Sequence, residues 1–308
     1  MAEAELLENR YHGDSLGSLF HQAAFHRLHA GGDGLFFEWA EGNQVLASVH
    51  FTPAADGLWR SPGRGTFAGY AWADGLRAEQ LFAFHDAAMA RLAARGARRV
   101  EILPAPMAHD PQRFSLQTYL LRTRGFRISQ CDLNQSLDID TRPLAERMSY
   151  GNVKRLRKCQ REGFVSAALP LEALPQVYET LAANRHAKGH TMSMSLQALQ
   201  AMSAQFPKAL QLFSCQAGAE QAAAALCLRL SPAVLYVLYW GDRPGYAQLS
   251  PVVALADAIH THCQTQGIAQ LDVGTSTVDT DTNFGLLQFK GGLGFGESLK
   301  LRMTLELP

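Results

Sequence analysis

The sequence predicts an α/β protein made of two tandem copies of one domain, each a mixed α+β sheet flanked by helices. Three observations predict it. First, residues 81–106 and 252–277 read alike: each is an apolar helix that ends at a glycine and is followed by a short strand. Second, the likeness keeps one step. Gly96 and Gly267 stand 171 positions apart (267 − 96), and the same step pairs Leu81 with Val252, Asp86 with Asp257, Leu92 with Cys263, Val100 with Leu271 and Ile102 with Val273. Third, both stretches lead to a Gly-Phe pair, Gly125-Phe126 and Gly294-Phe295, and then to an alternating strand, 133–139 and 299–307. Matches in one order at nearly one spacing point to duplication.

The elements follow from local pattern. Leu81, His85, Ala88 and Leu92 recur at helical spacing, and Gly96 stops that helix. Upstream, the first copy offers strands at 35–39, 45–51 and 58–60, after an early helix at 18–29. The second copy offers strands at 209–215, 222–230 and 234–240, with turn signals at Gly218 and Ser231-Pro232. The boundary is expected at 141–149, which gives domains 1–145 and 146–308. The second begins with a helix at 152–162, closed by Gly163 and carrying Lys154, Arg155, Arg157, Lys158 and Arg161. Such a helix reads either as a solvated basic face or as a surface for phosphate or tRNA.

Bulk properties narrow the function classes. The chain has 308 residues, 47 % of them hydrophobic and 18 % charged, enough for two buried cores. With 28 basic and 28 acidic residues the formal net charge is +0, which argues against duplex DNA as a partner but leaves room for a local basic patch. No apolar run approaches the roughly eighteen residues of a membrane span, and the acidic start is not a secretory signal. Five scattered cysteines without a Cys-x-x-Cys pair read as reduced thiols in a cytoplasmic protein. The 11 histidines lack the spacing of a ligand set, so no metal site is expected.

Phosphate-loop, dinucleotide, zinc-protease and nucleophile-elbow motifs are absent. One Arg-x-x-Gly-x-Gly match, at Arg60, Gly63 and Gly65, has the form of a pyrophosphate cradle. A cradle needs the helix N-terminus directly after the loop, whereas here the helix is expected only near Ala78, so the plainer reading is a Gly/Pro turn.

In the second copy, the segments Tyr236 to Trp240, Ser250-Pro251, Leu271-Asp272-Val273-Gly274, Asn283-Phe284-Gly285 and Phe289-Lys290 follow one another in an order that resembles the FemAB/FemX family, tandem GNAT enzymes that transfer amino acids from aminoacyl-tRNA. The loop 61–67 and the basic helix 152–163 resemble the family in the first copy and at the junction. The resemblance implies tandem GNAT domains and amide formation on an amine acceptor: a sugar, a peptide or a small molecule. Aminoacyl-tRNA is the implied donor, with the acceptor stem of tRNA as a partner, and no cofactor is held permanently. An acyl-CoA-dependent N-acyltransferase is a second reading, and a non-catalytic binding or scaffold protein with the same fold is a third.

By the same resemblance Arg185 is the basic residue of the second domain's first helix, and Phe289-Lys290 is the pair beside the acyl donor. Lys290 is then a group for a donor phosphate or an oxyanion, or else a surface lysine of the last helix. Asp272 either positions the amine and takes its proton or caps the next turn. Tyr239, Tyr246, Ser250, Asn283 and Phe289 are the expected substrate contacts, with Lys154, Arg155 and Arg157 toward phosphate or tRNA.

Overall fold

The computed structural model describes residues 4–12, 16–278 and 280–307. Its contacts divide the chain into two compact units, residues 1–132 with 298–308, and residues 133–297.

Unit 1 contains β1 (Glu5–Glu8), α1 (Ala23–Ala30), β2 (Leu35–Glu41), β3 (Gln44–Pro53), β4 (Leu58–Ser61), β5 (Ala71–Trp72), α2 (Ala78–Ala94), β6 (Arg99–Ile102), α3 (Pro111–Thr123) and the start of β7 (Arg127–Asp138). The expected early helix is interrupted: a short 3-10 turn, Leu19–His21, is separated from α1 by Gln22, whose backbone is extended. Strands run β1-β2-β3-β4-β6, with β5 on β3; all pair antiparallel except β4 with β6, which is parallel. Asp110 caps α3 by accepting from the N–H groups of Gln112 and Arg113, and Pro111 fills the first helical position. The core gathers Phe37, Phe51, Phe84, Ile102 and Phe126, each fully buried.

Unit 2 contains α4 (Tyr150–Arg161), β8 (Phe164–Leu169), α5 (Leu174–Ala187), α6 (Leu196–Gln205), β9 (Leu210–Ala217), β10 (Glu220–Arg229), β11 (Val234–Asp242), α7 (Pro251–Thr265), β12 (Gln270–Thr275), the small ribbon β13 (Thr277–Val278) and β14 (Asp281–Thr282), and α8 (Phe284–Gly291). β8 to β11 form an antiparallel succession, β12 joins β11 in parallel, and residues 133–138 of β7 lie antiparallel on β12. Leu235, Val237, Leu255, Ile259 and Leu271 share one core with Cys227 and Phe295.

The duplication is legible in backbone detail. Gly96 and Gly267 both have positive φ, +79° and +62°, the conformation that ends a helix with least strain in glycine. In each copy the next residue closes the same bond: Ala97 N–H donates to Leu92 C=O at 3.1 Å, and Ile268 N–H to Cys263 C=O at 2.9 Å. Both following side chains are buried. The match recurs at the later helices, where Phe126 N–H donates to Leu121 C=O and Phe295 N–H to Lys290 C=O.

The division differs from the one expected at residue 145. The contacts divide after Asp132, and the final strand β15 (Gly296–Glu306) returns to unit 1 from Ser298 onward. There it pairs antiparallel with β6, Met303 opposite Ile102 and Leu305 opposite Val100. The reason is pairing partners: alternation identifies β7 and β15 as strands, but only the ladder says which sheet each completes.

Candidate active site

In unit 2 a bulge opens the sheet. Along β10 the partner of Cys227 is Val237, but the partner of Leu226 is Tyr239, so Leu238 is an extra residue in β11. A bulge bends its strand and raises the local twist. The parallel ladder between β11 and β12 accordingly spans only Val234↔Gln270, Leu235↔Leu271 and Tyr236↔Asp272. From Val237 to Asp242, β11 has no ladder partner on that side among the described residues. On its other edge β12 also shifts register against β7, between Asp272 and Thr275. The two strands therefore splay just past Asp272, leaving β11 backbone groups open on that edge.

Asp272 sits at the fork, fully buried, beside Tyr236 and on the sheet face opposite Leu271 and Val273. One of its oxygens accepts from Gly274 N–H at 2.6 Å and from Asn134 Nδ2 at 3.1 Å. Gly274 has φ +73°, which turns its own carbonyl away from that carboxylate. The carbonyl accepts from Lys290 Nζ at 3.0 Å, and Thr275 C=O accepts from the same ammonium at 2.8 Å. Lys290 is thus not a surface lysine: it is 2 % exposed, with its head in the fold of the β12 end. Burial pushes its pKa down from 10.5 to about 8, and the attraction of Asp272 opposes part of that shift.

A polar shelf backs this arrangement. Ser276 Oγ donates to Gln135 Oε1 at 2.6 Å, and Gln135 Nε2 donates to Glu297 Oε1 and to Leu287 C=O. Asn134, Gln135, Ser276 and Gly274 were not among the sequence candidates. The run Asn134-Gln135-Ser136, which interrupts the apolar alternation of β7, is the signal that marks two of them.

The other expected site residues fall in separate places. Arg185, on α5, lies 5.6 Å over the Tyr239 ring and donates from Nε to Thr191 C=O. Tyr239 is buried, and its hydroxyl bonds Ser193 Oγ. Phe289 meets Trp240 edge-on at 6.1 Å. Tyr246 is held by its hydroxyl, which donates to Glu220 Oε2 at 2.5 Å and has its pKa raised chiefly by that bond. Ser250 occupies the residue before α7 with a left-handed backbone, φ 53° and ψ 50°, and donates to Ala247 C=O. The Asn283 side chain caps α8, accepting from Leu286 N–H at 3.0 Å. On α4, Leu156 and Cys159 face inward while Lys154, Arg155 and Arg157 are exposed. Lys154 lies over the Tyr150 ring, and Arg155 donates to Asn152 Oδ1. Cys159 Sγ donates to Leu249 C=O at 3.0 Å, which fixes α4 against the loop leading into α7.

The first copy lacks the fork. β4 and β6 pair along their whole length, Leu58↔Arg99 through Ser61↔Ile102, and Leu103 N–H continues the ladder to Ser61 C=O. Ala68 then bridges to Pro104, so the chain's own loop occupies the gap. The register position of Tyr236 and Asp272 is held by Arg60 and Glu101, which pair at 2.9 Å. Gly63 backs onto Thr52, where a Cβ would come within 2.3 Å of Thr52 Cβ. Arg60 and Gly63 of the Arg-x-x-Gly-x-Gly match are therefore used by the unit's own structure.

Residues 150–288 match the acetyltransferase (GNAT) domain family. No curated protein matches the chain in sequence. Among solved structures the chain is similar to FemX, with a TM-score of 0.74 at 14 % identity over 96 % of this chain and 94 % of that one. It is also similar to L-PGS from Bacillus licheniformis, with a TM-score of 0.59 at 14 % identity over 88 % and 84 %. A tandem GNAT protein from the clavulanic acid biosynthesis pathway gives a TM-score of 0.51 at 14 % identity over 89 % and 82 %. The fold is that of a FemX-like tandem GNAT protein, and with the matched domain it defines the class as an acyltransferase. No described helix is long and apolar enough to cross a membrane, and no described cluster of His, Cys, Asp and Glu would hold a metal ion.

Proposed function

We propose that the chain forms an amide bond by transferring an aminoacyl group from aminoacyl-tRNA to an amine acceptor, with the chemistry in unit 2. The observation that carries the reading is the fork at Asp272: a buried carboxylate and a buried ammonium meet on Gly274, where the ladder between β11 and β12 ends. Transfer from an ester or thioester needs three things: a donor for the developing oxyanion, a place for the amine and a path for its proton. The open β11 N–H groups and the Lys290 ammonium supply positive potential to the oxyanion, worth most where water is excluded. Asp272 orients the attacking amine and draws off its proton. No covalent intermediate on the protein is required.

The exposed cations of α4, fixed by Cys159 beside the loop that enters α7, support a polyphosphate-bearing or RNA donor. The lack of a fork in unit 1 supports a single donor site. Acyl-CoA is the second donor reading, favoured by the GNAT match over 150–288. Both donors place the reaction in the cytoplasm, and the acceptor is a sugar, peptide or small-molecule amine.

The test is to incubate the protein with charged tRNA and, separately, with acyl-CoAs, in the presence of fractionated extract, and to read products by mass spectrometry. Loss of charged tRNA with a matching aminoacylated product supports the reading. Consumption of acyl-CoA alone selects the second donor, and consumption of neither in any fraction ends the catalytic reading.

A further inference from the structure

Helix α4 carries its charge in one stripe. At 3.6 residues per turn, Tyr150, Lys154, Arg157, Lys158 and Arg161 fall within about 100° of one another around the helix, and the buried Asn152, Leu156 and Cys159 lie on the opposite side. The stripe is exposed along its whole length, and no acidic residue occurs in the helix. Among the described residues none of its cations is in an ion pair, whereas Arg113, Arg124 and Arg147 are each held by a carboxylate. The chain as a whole has a formal net charge of +0, so this excess of one sign is local. Lys158 and Arg161, in the last turn, complement the helix dipole, but Lys154 lies too far from the C-terminus for that. Arg155 falls outside the stripe and donates to Asn152 Oδ1.

An aromatic ring heads the stripe. Tyr150 is 74 % exposed, and Lys154 Nζ lies over its ring, 4.4 Å from the centroid. The ammonium covers one face of the ring and leaves the other to solvent. The same end of α4 is tied to the candidate site. Ser149, which caps α4, donates its N–H to Gly292 C=O at 2.8 Å, and Gly292 closes α8 two residues after Lys290. The far end is fixed by Cys159 to the loop that enters α7. The stripe therefore starts beside the helix of the buried ammonium and runs about 16 Å away from it, at 1.5 Å per residue.

We propose that α4 binds the unpaired end of an RNA strand, with one base stacked on the open face of Tyr150 and successive phosphates along Arg157, Lys158 and Arg161. An exposed ring set in a line of uncommitted cations is the combination that holds single strands without reading their sequence. A duplex keeps its bases stacked on one another and offers phosphates but no base to the ring. Coenzyme A has one base with its phosphates close by, so it fills part of the stripe. An anionic lipid surface meets the cations but has no ring for Tyr150. The inference rests on the donor reading above and deepens it, by naming the part of the donor that α4 takes and two cations and a ring that reading does not use.

The test measures binding by the full chain of a fluorescent, uncharged single-stranded RNA oligonucleotide, followed by anisotropy at several salt concentrations. A blunt RNA duplex, coenzyme A and phosphatidylglycerol vesicles serve as competitors. Tyr150→Ala should weaken binding of the single strand about tenfold without changing the salt slope, and Tyr150→Trp should restore it. Lys158→Ala and Arg161→Ala should each make the slope of log affinity against log salt shallower by about 0.7. All three side chains are exposed, so the variants fold. The proposal is overturned if Tyr150→Ala binds like the parent chain, if neither cation variant changes the slope, or if duplex, coenzyme A or vesicles compete as well as the single strand itself. Binding needs no turnover, so the two readings fail separately. RNA held through Tyr150 with no aminoacyl transfer ends the catalytic reading alone, whereas transfer from charged tRNA with an unchanged KM in Tyr150→Ala ends this one alone.

Discussion

Asp272 and Lys290 hold the same residue from its two ends: the carboxylate accepts from Gly274 N–H at 2.6 Å, and the ammonium donates to Gly274 C=O at 3.0 Å. Opposite charges are thereby kept beside each other in a buried place, with a peptide between them. The ammonium donates to two backbone carbonyls, Gly274 and Thr275, and still has donor capacity toward a substrate.

Activity should follow the protonation of Lys290. With its pKa lowered to about 8, the cation is present below that value and disappears above it. The rate at saturating substrate should therefore fall as pH rises through about 8, and Lys290→Met should remove that limb and lower kcat by about a hundredfold or more. A pH–rate profile for both proteins checks this; an unchanged high-pH limb in the variant would count against a role for the ammonium.

Asn134 donates to Asp272 without being placed to react, so its loss should act through the carboxylate. Asn134→Leu removes a hydrogen bond to a buried charge and should cost about 1–3 kcal/mol by urea unfolding. Asp272→Asn should keep more of the stability but lower kcat/KM by about a hundredfold. Equal rate losses in both variants, with no stability difference, would contradict the division of roles.

Acid should weaken unit 1 first. His21, His26 and His50 titrate at about 4, 3 and 4, below the ordinary 6.5, with burial the largest cause in each. The unfolded chain therefore binds more protons than the folded one as pH falls below 6.5. Their contribution is fully present above about 6.5 and is lost on the way down, at up to about 1.4 kcal/mol per pH unit for each group, until the folded values are passed. Urea midpoints measured from pH 7 to 4 should fall accordingly, and a flat profile would show that the three rings become charged without unfolding.

The basic face of α4 should govern donor affinity and its salt dependence. Replacing Lys154, Arg155 and Arg157 with alanine removes three exposed cations without touching the Asp272 fork. KM for the phosphate-bearing donor should rise, kcat should stay, and the slope of log affinity against log salt should become shallower by about one per lost phosphate contact. Titrations at two or more salt concentrations decide it.

The two-copy fold was readable because Gly96 and Gly267 end equivalent helices, and a helix stop is a local property of sequence. The strands were readable where a continuous apolar run is buried, as in β10 and the start of β11. β8 and α6 carry weaker signals: β8 is an edge strand without a fully buried residue, and α6 buries only Leu199 and Met202. Lys290 and Asp272 could be named from the order of segments, but not their common hold on Gly274. That depends on the bulge at Leu238, and a bulge is a property of two strands in register rather than of either sequence alone. Tyr246 and Asn283 illustrate the converse. Polar residues in loops invite functional readings, yet their polar atoms are used on Glu220 and on the N-terminus of α8.

The return of β15 to unit 1 bears on how the protein is made. A strand that pairs with β6 is synthesised only after the whole of unit 2 has been added. During translation the first-made sheet therefore waits with an open edge at β6, while unit 2 can gather its own core. The unit begun first is the one completed last, and a ribosome-bound chain stopped before Ser298 would carry that bare edge, a template for pairing with a neighbour.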